Sequence, residues 1–507
     1  MKRTTISLLA AATALAAVTA LAAVTAPDAG PANATSAKAP ARLPVERSAL
    51  VCPAAGSTEI AETRHTSYTP AADGGAEEKG TAELKPVLGS SVERRAEPGE
   101  RKDERAAAEK RVIALKEPGA PVVAEEDGSE APAFIGLATG RLAPGWTAQQ
   151  TTEVGAGSGR GLLGVSCTTP RTEFWIPGAS TDRARQDYVH LTNPDDTPAV
   201  VHIELYGKNG KLETTLTEGV PISPGATLPI LLSTLTSQVS EDVTVHVLAR
   251  AGRVGAVVRA TEDGVGSDWI TAAADPAGTA VLPGVPTDAT SVRLVAYAPG
   301  DRDADLKVEL AGPTGRIVPL GGESLHVKAG MTAGLELKDV TKGEAGSLII
   351  SPESAGRATP VVAALRVVRG KGANREIAFI PATEPIGARA SVADNRAKGS
   401  TLNLTAPDAG ARVRVTASAG SEGGEPVVKS YDIKGGATLA VPAPVPAGLK
   451  GSYALTVETE SGGPVHAART LALPDDGVQM FTVQTLNDDR GTVAVPEAEA
   501  DLSVLDD

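Results

Sequence analysis

Val201-His202-Ile203-Glu204-Leu205-Tyr206, closed by Gly207-Lys208-Asn209-Gly210, is the passage from which the fold can be read. Val201, Ile203 and Leu205 alternate with His202, Glu204 and Tyr206. Side chains at period two turn one face of an extended strand to a core and the other to water, and Lys208-Asn209-Gly210 is a turn signal. The same pattern recurs on both sides. Val189 and Leu191 alternate with Tyr188, His190 and Thr192, and Val243, Val245 and Val247 with Thr244, His246 and Leu248. Asn193-Pro194-Asp195-Asp196, Pro299-Gly300-Asp301 and Ser461-Gly462-Gly463 punctuate the runs. Turns at a spacing of roughly 8–12 residues favour sandwiches over βαβ units, and no sustained helical period follows residue 133. The chain is expected to be all-β, a string of tandem immunoglobulin-like β-sandwich modules behind an N-terminal signal or anchor helix.

An internal repeat sets the modules. Ile176-Pro177-Gly178 recurs as Leu282-Pro283-Gly284, Tyr206 to Lys211 as Ala311 to Arg316, and Pro224 to Thr227 as Ala329 to Thr332. A weaker third copy opens at Ile380-Pro381-Ala382 and continues through Gly435-Gly436-Ala437-Thr438 and Gly462-Gly463-Pro464-Val465. Three repeats follow, at 174–272, 280–376 and 378–496, each long enough to bury a core of its own. Residues 43–170 read as a divergent β module with a charged insertion at 70–130, in which 100–116 suit an exposed helix stabilised by ion pairs. Residues 497–507 form an acidic tail.

The N-terminus reads as an export signal. Lys2 and Arg3 precede an apolar run from Ile6 to Ala23, and small residues allow cleavage after Ala20 or Ala23; otherwise residues 1–26 remain as a membrane anchor. An Ala/Pro-rich tether covers 27–42. Cys52 and Cys167 are the only cysteines. In an exported protein two thiols pair or lie buried and free, and a disulfide closing 43–170 is the expected state.

Composition narrows function. The 48 basic against 62 acidic residues leave a net charge of −14, which repels phosphate and excludes polybasic nucleic-acid binding. Two thiols rule out a Cys-rich metal protein. Fifty-four glycines and 37 prolines make about 18 % of 507 residues, against a usual share of roughly 12 %. Three Trp, six Tyr and four Phe are too few to line many clefts. Gly159-Arg160-Gly161-Leu162-Leu163-Gly164 has a dinucleotide-site spelling, but no helix follows it, so it reads as a loop entering the Cys167 strand. Asp301, Asp303 and Asp305 have calcium-loop spacing without the Gly and Glu that complete such a loop, which leaves either an acidic turn or weak Ca²⁺ binding. The six histidines read as solvated, with His190 and His202 facing each other across a hairpin at most. Trp175 is placed to plug the seam with the preceding module. Asn33-Ala34-Thr35 and Asn403-Leu404-Thr405 spell glycosylation sequons.

Gly161-Leu162-Leu163, Cys167-Thr168-Thr169-Pro170, Trp175-Ile176-Pro177-Gly178, Leu191-Thr192-Asn193-Pro194 and Thr197 to Val201 together resemble a family of secreted actinobacterial proteins known only as a domain of unknown function. Ile176-Pro177 stands where that family's pattern has an aromatic and a valine. The resemblance implies export from a high-GC Gram-positive bacterium and an envelope or extracellular setting. It brings no catalytic residue and no cofactor.

The expectation is a non-catalytic secreted or envelope-associated structural or binding protein, with a cell-wall or envelope component as partner and membrane contact only through an uncleaved N-terminal segment. The alternative is a secreted enzyme or an accessory carbohydrate- or peptidoglycan-binding protein. An inter-module cleft with convergent carboxylates would favour that alternative.

Overall fold

A computed structural model describes residues 41–495 apart from 56–57, 72–78, 88, 91–110, 130, 217, 355, 357 and 476. The regular structure of the described chain is almost entirely β-strand; the α-helix among the described residues is the single turn Leu232–Leu235. Two units separate by contact density. In the smaller, residues 1–43 and 492–507, the Arg42 guanidinium donates to Thr492 Oγ1 within a two-stranded sheet. The larger is Pro44–Gly491.

The passage that opens the sequence reading is a strand, Ala199–Gly207, in which buried and half-buried residues alternate without a break. It belongs to a block whose eight strands are β1 Glu173–Ala179, β2 Arg185–Thr192, β3 Ala199–Gly207, β4 Val220–Ile222, β5 Ala226–Leu231, β6 Val243–Ala251, β7 Gly255–Glu262 and β8 Gly266–Ile270. One sheet runs β1-β6-β3, with β4 and the short ribbon Gly210–Lys211 both pairing β3; the other runs β8-β7-β2-β5. Phe174, Ile176, Val189, Val201, Val245 and Val258 come from both sheets into one core. Full burial of such side chains contributes about 1.5–3 kcal/mol each.

The same order recurs in three further blocks, at 47–166, 280–381 and 389–486. In each, the first, sixth, third and fourth strands make one sheet, and the eighth, seventh, second and fifth make the other. The order keeps the second strand beside the fifth and the third beside the sixth, as in an immunoglobulin sandwich. It sets the seventh beside the second, where the immunoglobulin order has it beside the sixth. A bulge in the first strand also recurs, with positive φ at Gly178, Gly284 and Asp394. Aspartate tolerates that conformation better than most residues.

The blocks are not strung out. The eighth strands Gly161–Ser166, Gly266–Ile270, Glu376–Pro381 and Phe481–Leu486 pack in sequence, and the last also packs on the first, which closes a ring. Each is the edge of its sheet. An exposed edge invites pairing with another chain, and here four edges cover one another. The seam between the last and first blocks is held by Tyr68 hydrogen-bonded to Thr456 Oγ1 at 3.3 Å and by the buried Arg469 guanidinium donating to Gln149 Oε1 at 3.1 Å.

Several boundaries differ from the sequence reading. The break expected between 376 and 378 falls inside a strand, because Glu376–Pro381 pairs along its length with Val362–Arg369 and completes the third block. The expected insertion at 70–130 contains the third, fourth and fifth strands of the first block, Gly80–Pro86, Ile113–Leu115 and Val122–Asp127. Most of the helix expected at 100–116 lies outside the described residues, and its end is strand instead. The tether expected at 27–42 gives way to strand Ala41–Pro44; the signal or anchor at 1–26 and the tail at 497–507 also lie outside the described residues. Trp175 plugs a seam, but with the following block, in whose core cluster it is counted.

Candidate functional site

Three polar constellations lie where blocks meet. At the centre of the ring, Asp268 and Glu376 are buried carboxyls on two eighth strands. Asp268 accepts from Gly164 N at 3.0 Å and from Thr482 Oγ1 at 3.1 Å, and so joins the first, second and fourth blocks. Glu376 accepts from Ile377 N at 3.1 Å and from the Ser267 amide, joining the third to the second. Edge amides that no ladder satisfies are thus taken up by carboxyl groups. Burial pushes Glu376 up to about 8 and Asp268 well above the usual carboxylate range. The close approach needs glycine: a Cβ on Gly266 would overlap the Glu376 carboxyl, and one on Gly164 would overlap Thr482.

On the seam between the second and third blocks, Trp175, His246 and Glu204 stand opposite one another across β1, β6 and β3. The indole stacks on the imidazole with centroids 3.7 Å apart, and Tyr297 from the third block packs against the indole at 5.4 Å. His246 Nδ1 and Nε2 lie 2.9 Å from Glu204 and Glu173. Burial alone would push Glu204 up. Hydrogen bonds from Lys211, His246 and Tyr206 outweigh it and bring the carboxyl down to about 2. Burial pushes Tyr297 up to about 12. The imidazole and the carboxylates of this cluster are partnered within the second block, and the contact of Trp175 with Tyr297 carries it across the seam, so it clamps two blocks.

The third constellation is open. A cleft of about 120 Å³ lies on the seam between the first and fourth blocks. Its floor is the outer face of the sheet carrying Ala61–Tyr68, Val122–Asp127 and Thr147–Val154. Glu153, Glu62 and Asp127 form one row across the three strands; Thr151, Arg64 and Glu125 form the next. Arg64 pairs with Glu125. Arg396 and Leu473 wall the cleft from the fourth block, and Arg396 pairs with Asp394 at 3.0 Å. Burial, then the charges of Glu62 and Asp475, push Glu153 up. Alternation along Ala61–Tyr68 could have placed Glu62 and Arg64 on one face; only the pairing of strands far apart in sequence brings Glu153 and Asp127 beside them.

The residues singled out from sequence fare differently. Cys52 and Cys167 are bonded and buried, tying the end of the first strand of the first block to the residue after its eighth. The glycine-rich run leads into strand Gly161–Ser166. Asp305 lies 2.7 Å from His326 Nδ1 and Asp303 lies 3.6 Å from its Nε2 while accepting from the Ala329 amide, so these two carboxylates are engaged with one imidazole and a backbone amide. Among the described residues no three His, Cys, Asp or Glu are placed to hold a metal ion. The histidines expected at the surface are largely inside: His65, His190, His246 and His466 are buried. Burial pushes His65 and His466 down to about 4 and His190 to about 3. His190 packs on Trp269, and His202 is in the other sheet of the block. Asn403 is buried in a strand, which hides its sequon; Asn33 lies outside the described residues.

No curated protein matches the chain. A family model does, over residues 122–444. The match runs from the fifth strand of the first block to just past the fifth strand of the fourth, and so takes in the second and third blocks whole. The chain belongs to that family, DUF5719, a family of unknown function.

Proposed function

We propose that this protein is a non-catalytic scaffold or binding protein of the cell envelope or extracellular space, from an actinobacterium. Its blocks are tandem β-sandwiches of immunoglobulin size, whose crossing connections also fit the double Greek key of eight-stranded jelly rolls. The observation that carries the reading is the ring centre. Four sheet edges and two carboxyl groups are committed there to holding blocks in place, an investment in rigidity. The buried Cys52–Cys167 bond supports an oxidising compartment, as does the apolar run after Lys2 and Arg3. Fractionation of cells into cytoplasm, membrane, wall and medium, with proximity labelling of the exported chain, tests it. Recovery outside the cytoplasm beside wall or envelope proteins is the expected result; a cytoplasmic, thiol-reduced protein would overturn it.

A second reading, a module acting on wall polysaccharide, draws on the carboxylate row of the seam cleft, since glycoside hydrolysis uses paired carboxyls with one raised. Release of reducing ends from purified wall, lost in Glu153→Gln, would favour it over the first.

A further inference from the structure

The cleft between the first and fourth blocks carries a charge arrangement that the chain itself does not resolve. Glu153, Glu62 and Asp127 are direct cross-strand neighbours, and like charges opposite one another destabilise a sheet. None of the three has an ion-pair partner among the described residues; Arg64 and Arg396 are paired with Glu125 and Asp394, Arg396 keeps a buried Nε without a partner among the described residues, and the two arginine charges offset only part of the push on Glu153. A second, independent observation lies on the next row. Thr151 lines the cleft and is only 4 % exposed, yet its hydroxyl has no hydrogen-bond partner among the described residues. A buried hydroxyl without a partner is destabilising.

We infer that this cleft binds a primary ammonium group carried on an extended polar chain, as in a lysine-type side chain or a diamine. The ammonium is a compact charge with three donors. It can donate to carboxylates of the row and to the Thr151 hydroxyl together. A guanidinium presents a flat fork that suits one carboxylate in plane, edge to edge. A hard divalent cation wants six to eight oxygens converging at about 2.3–2.6 Å, and no such grouping occurs among the described residues. The space, about 120 Å³, exceeds the roughly 30 Å³ share of one water, so the end of an aliphatic amine chain enters with its head. The inference goes beyond the scaffold reading, which stands whether or not the cleft is filled.

Calorimetric titration of the full chain with 1,5-diaminopentane tests it, with agmatine and CaCl₂ as separate arms. Saturable binding of the diamine is expected, weakened about tenfold or more in Glu62→Gln and in Glu153→Gln, the loss of one charge-assisted hydrogen bond. Thr151→Val should weaken it in the same direction. Both glutamine variants remove like-charge repulsion, so their melting temperatures should hold or rise, which separates lost binding from lost folding. Absence of saturable diamine binding in the millimolar range would overturn the inference. So would binding unchanged in both glutamine variants, or equal binding of Ca²⁺ or agmatine that is lost in the same variants.

Discussion

Replacing Glu376 by glutamine should abolish a specific part of the protein's pH dependence. Glu376 is buried at the ring centre, accepts from the Ile377 and Ser267 amides, and has the Arg160 guanidinium 4.0 Å away. Burial dominates and raises the carboxyl from 4.5 to about 8. In that interval the folded chain holds a proton that the unfolded chain has released, so stability is fully present below pH 4.5 and is lost as pH rises toward 8. A shift of this size corresponds to about 5 kcal/mol at most, at 1.36 kcal/mol per unit. Glutamine keeps the accepting oxygen and cannot ionise. Three buried histidines, His65, His190 and His466, are lowered by burial and work in the opposite sense, costing stability as pH falls below 6.5. The informative quantity is therefore the difference between the two proteins in urea unfolding at pH 5, 7 and 9. The variant should gain several kcal/mol on the wild type between pH 5 and 9. Parallel profiles would refute the assignment of a neutral, proton-holding Glu376.

Cys52→Ser with Cys167→Ser opens a loop spanning a sequence separation of 115. The loop-entropy model gives a loss of about 5 kcal/mol, to be read from urea midpoints. Gly164→Val places a side chain against Thr482 where two eighth strands meet, and overpacking of this kind costs about 1–3 kcal/mol; the melting temperature should fall, whereas the same change at exposed Gly300, where a Cβ meets open space, should cost less. Trp175→Ala removes the indole shared by the second and third blocks and should cost about 3–5 kcal/mol, with limited proteolysis appearing first in the linker at 271–279.

Strands were legible where one face is open. Ala199–Gly207 alternates in burial as its sequence alternates in polarity, but Val243–Ala251 is buried on both faces over its first five residues. His246 there follows the polar phase and still lies inside, because the outer face meets Trp175 and the third block. The same cause hides His190 against Trp269. Period-two reasoning locates the face away from a block's own core, and ring closure then covers that face. The repeat was legible in two copies through Ile176-Pro177-Gly178 and Leu282-Pro283-Gly284, which occupy the bulged first strands. In the fourth block Asp394 holds the glycine's place, so the sequence match slipped to Ile380-Pro381, a closing strand. The seam cleft and the ring centre were not legible, since Glu62 with Glu153, and Asp268 with Thr482, meet only after strands about 90 and 210 residues apart pair or pack.

Closure of the ring is the claim on which the centre, the seams and the cleft all depend. Small-angle X-ray scattering from residues 44–491 measures it. A closed, compact chain of that length has a radius of gyration of about 22 Å, and a profile with a single compact maximum in its distance distribution is the expected result. A markedly larger radius, with the long-tailed distribution of four blocks in a line, would contradict it.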